Sequence, residues 1–486
     1  MDNISGVAFG TFLVHLILVL GLFVRVIMRR RPVGVLLAWM AIILSVPVLG
    51  SLIYLVVGES RISGKYLKRG RLIHRRYADW KQALCARANV DWTDVSPQAV
   101  ALQNQARTVT GFPALQGNRL ELLQDADEVF RSLIGAIAQS RRSCHLEFYI
   151  WYAGGLADEL LETVIGAARR GVVCRLLLDA LGSKPFLHSA AVSRLRQAGV
   201  ELAVALPVGL FTTLVTRADL RNHRKLAVID GEIAWTGSQN LVDPRFFKQD
   251  EGVGQWVDAM FRIEGPVVEA LGGMFINDWE VATGAGLDSL EVTDVRPIPG
   301  PVPGVVPVQV IPSGPIPQPL AILQMILGAF YAAQRELIVT TPYFVPDESV
   351  LTALLSAAHR GVHVTLLLPA TNDSWLVDLA GKAVFADLLE AGVQIAAFKG
   401  GLLHTKSITV DGEFALFGSV NMDMRSLWLN FELSLLIYDR ESTALIRRMQ
   451  QGYLDDSDPV SLNEWRQRSF KQRFLENAVH LLAPLL

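Results

Sequence analysis

Cysteine is scarce in this chain: Cys85, Cys144 and Cys174 are the only three among 486 residues. An odd number without metal-like spacing argues against a disulfide framework and a zinc site, and reads as small buried apolar side chains. Net charge is nearly absent, with 45 Lys+Arg against 47 Asp+Glu, so the global balance says little about partners. Charge is also missing locally. No Asp, Glu, Lys or Arg occurs from Asn3 to Val24, or from Pro32 to Gly58. Much of the chain's hydrophobic share of 51% is concentrated in these runs.

Each run is long enough to cross a hydrocarbon core of roughly 30 Å, which takes about 20 helical residues. Arg25, Arg29, Arg30 and Arg31 lie between them, so residues 1–60 are expected to form a transmembrane helical hairpin. A cleaved signal peptide needs a basic region before its apolar stretch, and only Asp2 precedes this one. A basic juxtamembrane segment over 61–115 follows, with Arg61, Lys65, Lys68, Arg69, Arg71, Arg75 and Arg76 at its start. Seven basic residues against four in the turn favour a cytoplasmic position for the rest of the chain, in a multi-pass inner-membrane protein. Pro47 leaves open a helix pair that dips into the membrane without fully crossing. Either arrangement lays the basic segment against anionic head groups.

The remainder repeats itself. Residues 167–180 read AARRGVVCRLLLDA and residues 357–370 read AAHRGVHVTLLLPA. Each is a helix end, a glycine stop and an apolar run suited to a buried parallel strand. A second helix end follows at 195–200 and again at 388–393. Upstream, Glu147-Phe148-Tyr149-Ile150 and Pro342-Tyr343-Phe344-Val345 close an earlier strand in each copy. Strands alternating with helices predict an α/β fold with mostly parallel sheets. The expected lobes cover 116–296 and 320–460, joined by a Pro/Gly-rich connector over 297–319 that is poorly suited to sheet interior. Residues 461–486 mix Arg466, Arg468, Lys471 and Arg473 with Trp465, Phe470, Phe474 and Leu475. That tail is expected to be an amphipathic helix, packed on the protein or lying in a membrane interface.

One polar pattern occurs twice. His223, Lys225, Asp230, Ser238 and Asn240 in the first half match His404, Lys406, Asp411, Ser419 and Asn421 in the second. Relative to each histidine the partners fall at +2, +7, +15 and +17 in both halves. Residues i and i+2 of a strand share a face, which directs His and Lys into one cavity. Asp-Gly at 230–231 and 411–412 marks a hairpin turn, and the returning strand brings Gly-Ser-x-Asn beside the His-Lys pair. Lysine cations with neutral Ser and Asn donors can hold a phosphate diester and the charge that develops on its oxygens. Lys is a poor metal ligand and carboxylates do not cluster here, so no metal and no cofactor are expected.

The two motifs resemble those of the phospholipase D superfamily, and the match extends to the bacterial cardiolipin synthases. Leu220-Arg221-Asn222-His223-Arg224-Lys225, Phe247-Lys248-Gln249-Asp250, Thr341-Pro342-Tyr343-Phe344-Val345-Pro346 and Asn421-Met422-Asp423-Met424-Arg425-Ser426 all look like that family. The resemblance covers essentially the whole chain. It implies two duplicated phospholipase D-like lobes and a two-step phosphatidyl transfer through a covalent phosphohistidine. Phosphatidylglycerol and other membrane phospholipids would be the partners, cardiolipin and glycerol the products. His223 is assigned as nucleophile and His404 as acid/base, although the symmetric motifs alone do not separate these roles. Lys225, Lys406, Ser238, Asn240, Ser419 and Asn421 are implied phosphate binders. Asp230 and Asp411 complete the catalytic signature and are expected to shape the turns rather than touch substrate. Asp258 and Glu432 match the superfamily's His-orienting carboxylates, Glu432 behind His223 and Asp258 behind His404.

Val208–Val215 is an apolar stretch in extra length before the first motif, read either as an acyl-chain entrance or as a packed loop. A hydrolytic phospholipase D, a nuclease and a non-catalytic membrane scaffold are the competing functions. The apolar N-terminus and the lack of a basic, aromatic-rich groove argue against nucleic acid. Two intact motifs argue against a scaffold. Fold and site chemistry do not name the acceptor, and oligomeric state stays open.

Overall fold

The computed structural model describes residues 2–28, 33–46, 48–58, 77–207, 220–285, 304–315 and 319–483. Arg29–Arg31, the basic residues Arg61–Arg76 and the apolar Val208–Val215 lie outside the described residues. The chain divides into an N-terminal helical unit and a larger α/β unit.

The N-terminal unit contains α1 (Asp2–Ile27), α2 (Val33–Ser45) and α3 (Leu49–Val57). Val19, Leu22 and Val26 of α1 pack with Trp39, Ile43 and Tyr54 in a small core, where the Trp39 and Tyr54 rings meet edge-on at 5.4 Å. The second apolar run was expected as one spanning helix and is instead two. Pro47 stands between them in the sequence, and proline can neither donate to a helix ladder nor let the preceding turn stay helical. At 1.5 Å per residue α2 and α3 reach about 20 and 14 Å, short of a hydrocarbon core. Among the described residues no helix is long and apolar enough to cross a membrane.

In the α/β unit the strands are β1 (Ala114–Leu123), β2 (Ser143–Phe148), β3 (Val173–Asp179), β4 (Glu201–Ala205), β5 (Leu226–Ile229), β6 (Ile233–Gly237), β7 (Trp256–Val257), β8 (Met260–Glu264) and β9 (Val306–Ser313). The second half adds β10 (Glu336–Thr340), β11 (Phe344–Val345), β12 (His363–Pro369), β13 (Gln394–Phe398), β14 (Leu402–Leu403), β15 (Ser407–Val410), β16 (Phe414–Gly418), β17 (Met422–Asp423), β18 (Glu432–Ile437) and β19 (Ser457–Pro459). The repeated segments form as expected. In each, a helix (Leu156–Arg169 or Glu348–His359) stops before a left-handed glycine, Gly171 or Gly361, and an almost wholly buried strand follows, β3 or β12.

Two expectations need correction. The lobes do not carry separate, mostly parallel sheets, because their strands form one 15-stranded sheet. Only β2–β3–β4 and β10–β12–β13 run parallel, and the central joins are antiparallel. The strand that closes the seam, β9, lies inside the stretch read as a connector, between β1 and β18. Its prolines fit because the β1 ladder is interrupted there. Pro307 falls opposite the register shift between Leu115 and Asn118, and Pro312 lies past the last β1 partner, Gln309. Asn118 fills the bulge, donating to the Leu115 and Val306 carbonyls at 2.6 and 2.9 Å. The seam is also a hydrophobic core, with Leu226 and Phe261 from one half packed with Phe417 and Leu435 from the other.

The C-terminal tail is helical at Leu462–Arg466 and Phe470–His480, the latter opened by a Ser469/Gln472 capping box. Val479 packs with Val345 and Ala380, while Phe470 and Phe474 stay exposed. One face therefore docks on the protein and the other is free.

Candidate active site

Each His-x-Lys segment enters a two-stranded hairpin, β5–β6 in the first half and β15–β16 in the second. The turn residues Asp230, Gly231, Asp411 and Gly412 all have positive φ, between 54 and 70°. That geometry matches the twist of a hairpin and favours Asp-Gly. Short parallel contacts bind each motif to the opposite half. His223 N donates to Phe431 O at 2.9 Å, and His404 N donates to Val257 O at 2.8 Å. The residue after each of these carbonyls is Glu432 or Asp258.

Each imidazole thus meets a carboxylate from the other copy. His223 Nδ1 lies 3.0 and 2.9 Å from the two Glu432 oxygens, and His404 Nδ1 lies 2.6 Å from Asp258 Oδ1. An ionised carboxylate only accepts, so Nδ1 carries the proton and donates it, and Nε2 is left with a lone pair. Rings complete the walls. Tyr149 approaches His223 edge-on at 5.1 Å, and Trp256 lies 4.3 Å from His404. Lys225 Nζ and Lys406 Nζ each donate to the carbonyl of their own histidine, at 2.7 and 2.5 Å.

Both histidines, both lysines and both carboxylates are buried. Burial pushes His223 and His404 down from 6.5 to about 4 each, against the opposing pull of Glu432 and Asp258. Burial likewise lowers Lys225, and lowers Lys406 to about 7. Burial alone would raise Asp258, yet His404 and Lys406 hold it below its ordinary value. The groups of the two motifs feel one another: Lys406 bears on His223, and Lys225 on His404. Burial thus favours a neutral His404 beside an ionised Asp258, and disfavours extra positive charge in the site.

The turn aspartates sit where the sequence predicts them. Asp230 and Asp411 stand at the far ends of β5 and β15, where they bind backbone. Asp230 accepts from the amides of Arg141, Arg142 and Ser143, and Asp411 from those of Gln334, Arg335 and Glu336. They are turn anchors. The serines are also engaged. Ser419 Oγ donates to Glu432 Oε2 at 2.5 Å, and Ser238 Oγ bonds with the backbone of Ala259. Each braces the segment that carries a carboxylate. Asn240 Oδ1 accepts from Ile150 N at 3.2 Å, and Asn421 hydrogen-bonds Asp423. Sequence reasoning passed over Tyr149 and Trp256 as site residues. For Tyr149, its position just after the first strand of the repeat was the available signal. Among the described residues no cluster of His, Cys, Asp or Glu could hold a metal ion.

Comparison with known proteins identifies the family. The family model described as cardiolipin synthase, PLD-like domain, matches residues 133–279 and 326–452. A second, described as phospholipase D-nuclease N-terminal, matches residues 17–59. Cardiolipin synthase A from Salmonella arizonae is 44% identical over 471 residues, 97% of this chain and 96% of that protein. The same enzyme from Salmonella paratyphi B matches equally. Among solved structures, phosphatidylserine synthase from Haemophilus influenzae Rd KW20 superposes with a TM-score of 0.60 at 16% identity, over 79% of this chain and 100% of that one. That likeness is one of fold.

Proposed function

The chain belongs to the cardiolipin synthases with phospholipase D-like domains, and on that premise we propose how its paired motifs divide the reaction. It is a phosphatidyltransferase acting on phospholipids such as phosphatidylglycerol, giving cardiolipin and glycerol. In our reading His223 Nε2 attacks the phosphorus of the donor lipid while His404 Nε2–H protonates the departing glycerol oxygen. His404 then takes the proton of the acceptor's hydroxyl, whose oxygen attacks the phosphohistidine and frees His223. One histidine is nucleophile, and the other is acid and then base. Lys225, Lys406, Asn240 and Asn421 hold the phosphate.

The observation that carries this reading is the crossed pairing, in which each imidazole is oriented by the other half's carboxylate. Charge accounting supports the division. Burial keeps both imidazoles neutral and disfavours added positive charge. A bound diester adds one negative charge, which offsets one imidazolium. At a pKa of about 4 His404 alone is protonated in only about one molecule in a thousand at pH 7, so the substrate's own charge arms the acid. Ser419 holds the Glu432 carboxylate, and Ser238 the backbone beside Asp258, rather than the phosphate. The N-terminal helices serve as the membrane anchor, with Leu16, Ile17, Leu18, Leu20 and Val24 exposed on α1 and the lobes on the cytoplasmic side.

A donor whose head group is an acidic phenol tests the roles, because it leaves without protonation. With His404→Ala the first step then proceeds and the second stalls, so a phosphatidyl adduct accumulates on His223 and is read by peptide mass. An adduct on His404 in His223→Ala, with none on His223, reverses the assignment.

A further inference from the structure

The motifs match at every signature position, yet the site they build is not symmetric. Two residues before His223 stands Arg221, and two residues before His404 stands Leu402. The end of β3 is Asp179, and its counterpart at the end of β12 is Pro369. One side of the site therefore carries a buried cation that the other lacks.

Arg221 points towards the reacting side. Arg221 O accepts from Phe431 N and His223 N donates to Phe431 O, so the chain is extended through Asn222. Side chains then alternate. Asn222 donates to Glu147 at 2.6 Å, and Arg224 pairs with Asp278. Arg221, His223 and Lys225 occupy the other face. Tyr149, edge-on to His223, lies within electrostatic reach of Arg221.

This guanidinium is buried and under-used. Its side chain is 3% exposed, and its nearest carboxylate oxygen, on Asp179, is 3.8 Å from Nη1. Asp179 is already taken by the amides of Leu181, Gly182 and Asn222, at 2.8, 3.0 and 3.0 Å. Among the described residues Arg221 Nε and Nη1 have no hydrogen-bond partner. A buried cation with open donors is costly unless something occupies them.

We propose that Arg221 binds the phosphodiester of the acceptor lipid, the second phosphate of the reaction, and so selects a phosphatidyl acceptor over water or a free alcohol. The inference rests on the transferase reading above. Scale supports it. Alternate residues of an extended chain are about 6.6 Å apart, and a three-carbon glycerol bridge holds two phosphorus atoms roughly 6–7 Å apart. A diester held at Arg221 places the acceptor's free hydroxyl beside the phosphorus on His223. Arginine suits the task because its planar fork matches two phosphate oxygens. Leu402 opposite leaves only one such subsite, which gives donor and acceptor separate places.

The test compares two acceptors in Arg221→Gln, using phosphatidylglycerol in mixed micelles. Cardiolipin formation needs an acceptor phosphate. Exchange of labelled free glycerol into phosphatidylglycerol does not, although both share the donor step. Loss of a charge-assisted contact predicts a fall of roughly ten- to a hundredfold in cardiolipin formation, with glycerol exchange changed less than about threefold. Arg221→Lys keeps the charge without the fork and should show the same partition at smaller size, and it carries the test if the glutamine variant does not fold. Equal falls in both reactions, or none in either, overturn the proposal. A wild-type protein that exchanges glycerol but makes no cardiolipin overturns the functional reading instead.

Discussion

Asp258→Asn tests the division of labour most quantitatively. The substitution keeps an acceptor oxygen for His404 Nδ1–H, which now sits 2.6 Å from Asp258 Oδ1. The new amide group takes the place of Oδ2, which has no hydrogen-bond partner. Tautomer and ring position are therefore preserved, and only the charge is lost. A carboxylate about 4 Å or less from an imidazolium is worth about 4 kcal/mol at the effective dielectric of a protein site, and the neutral hydrogen bond that remains returns about 1. The net loss of about 3 kcal/mol falls on the step in which His404 carries its proton, a slowing of roughly a hundredfold. Steady-state turnover of phosphatidylglycerol should show that fall. Pre-steady-state release of an acidic phenol from a phenyl-headed donor should change by less than about fivefold, because that departure needs no acid. A similar fall for both donors would place Asp258 behind the nucleophile or reduce it to a structural part. No fall for either would refute the orienting role.

Two further outcomes follow from the turn aspartates and from the buried histidines. Asp230→Ala removes the acceptor of three backbone amides from a partly exposed turn, a loss of about 2 kcal/mol after discounting for solvent. The thermal midpoint should fall by roughly 2–3 °C in a cooperative unit of this size while turnover stays within about twofold, and loss of turnover in a well-folded variant would return Asp230 to the catalytic machinery. His223 and His404 have folded pKa values near 4 against 6.5 when unfolded, so the unfolded chain binds protons that the native site refuses. Stability is thus intact above pH 6.5 and lost as pH falls towards 4, by about 3 kcal/mol per histidine. Thermal midpoints measured across that window should decline, and the double variant His223→Asn/His404→Asn should decline less. An unchanged slope would mean the imidazoles are not held neutral.

The chemistry was more legible in the sequence than the architecture. A doubled His-x-Lys with fixed distances to Asp-Gly and Gly-Ser-x-Asn marks two hairpins and a shared site, because strand alternation and turn preferences act locally. Glu432 and Asp258 were reachable through resemblance alone, since their pairing crosses 209 and 146 residues of chain. The seam was hidden for a different reason. Val306–Ser313 holds Pro307 and Pro312, which argue against a central strand unless the neighbouring ladder is known to break opposite them. The split of the second apolar run at Pro47 was visible as composition but not as geometry. Ser238 and Ser419 looked like phosphate donors because a hydroxyl's partner cannot be read from its spacing. Arg221 looked like any motif-flanking arginine until its burial, its open donors and the leucine at the matching position were seen together.

Purified protein given phosphatidylglycerol in detergent without added metal, with products followed by mass spectrometry, tests the central claim. His223→Ala and His404→Ala run alongside. The account predicts cardiolipin and free glycerol in equal amounts from the wild type and neither from the two variants. Phosphatidic acid as the main product, or cardiolipin from either variant, would contradict it.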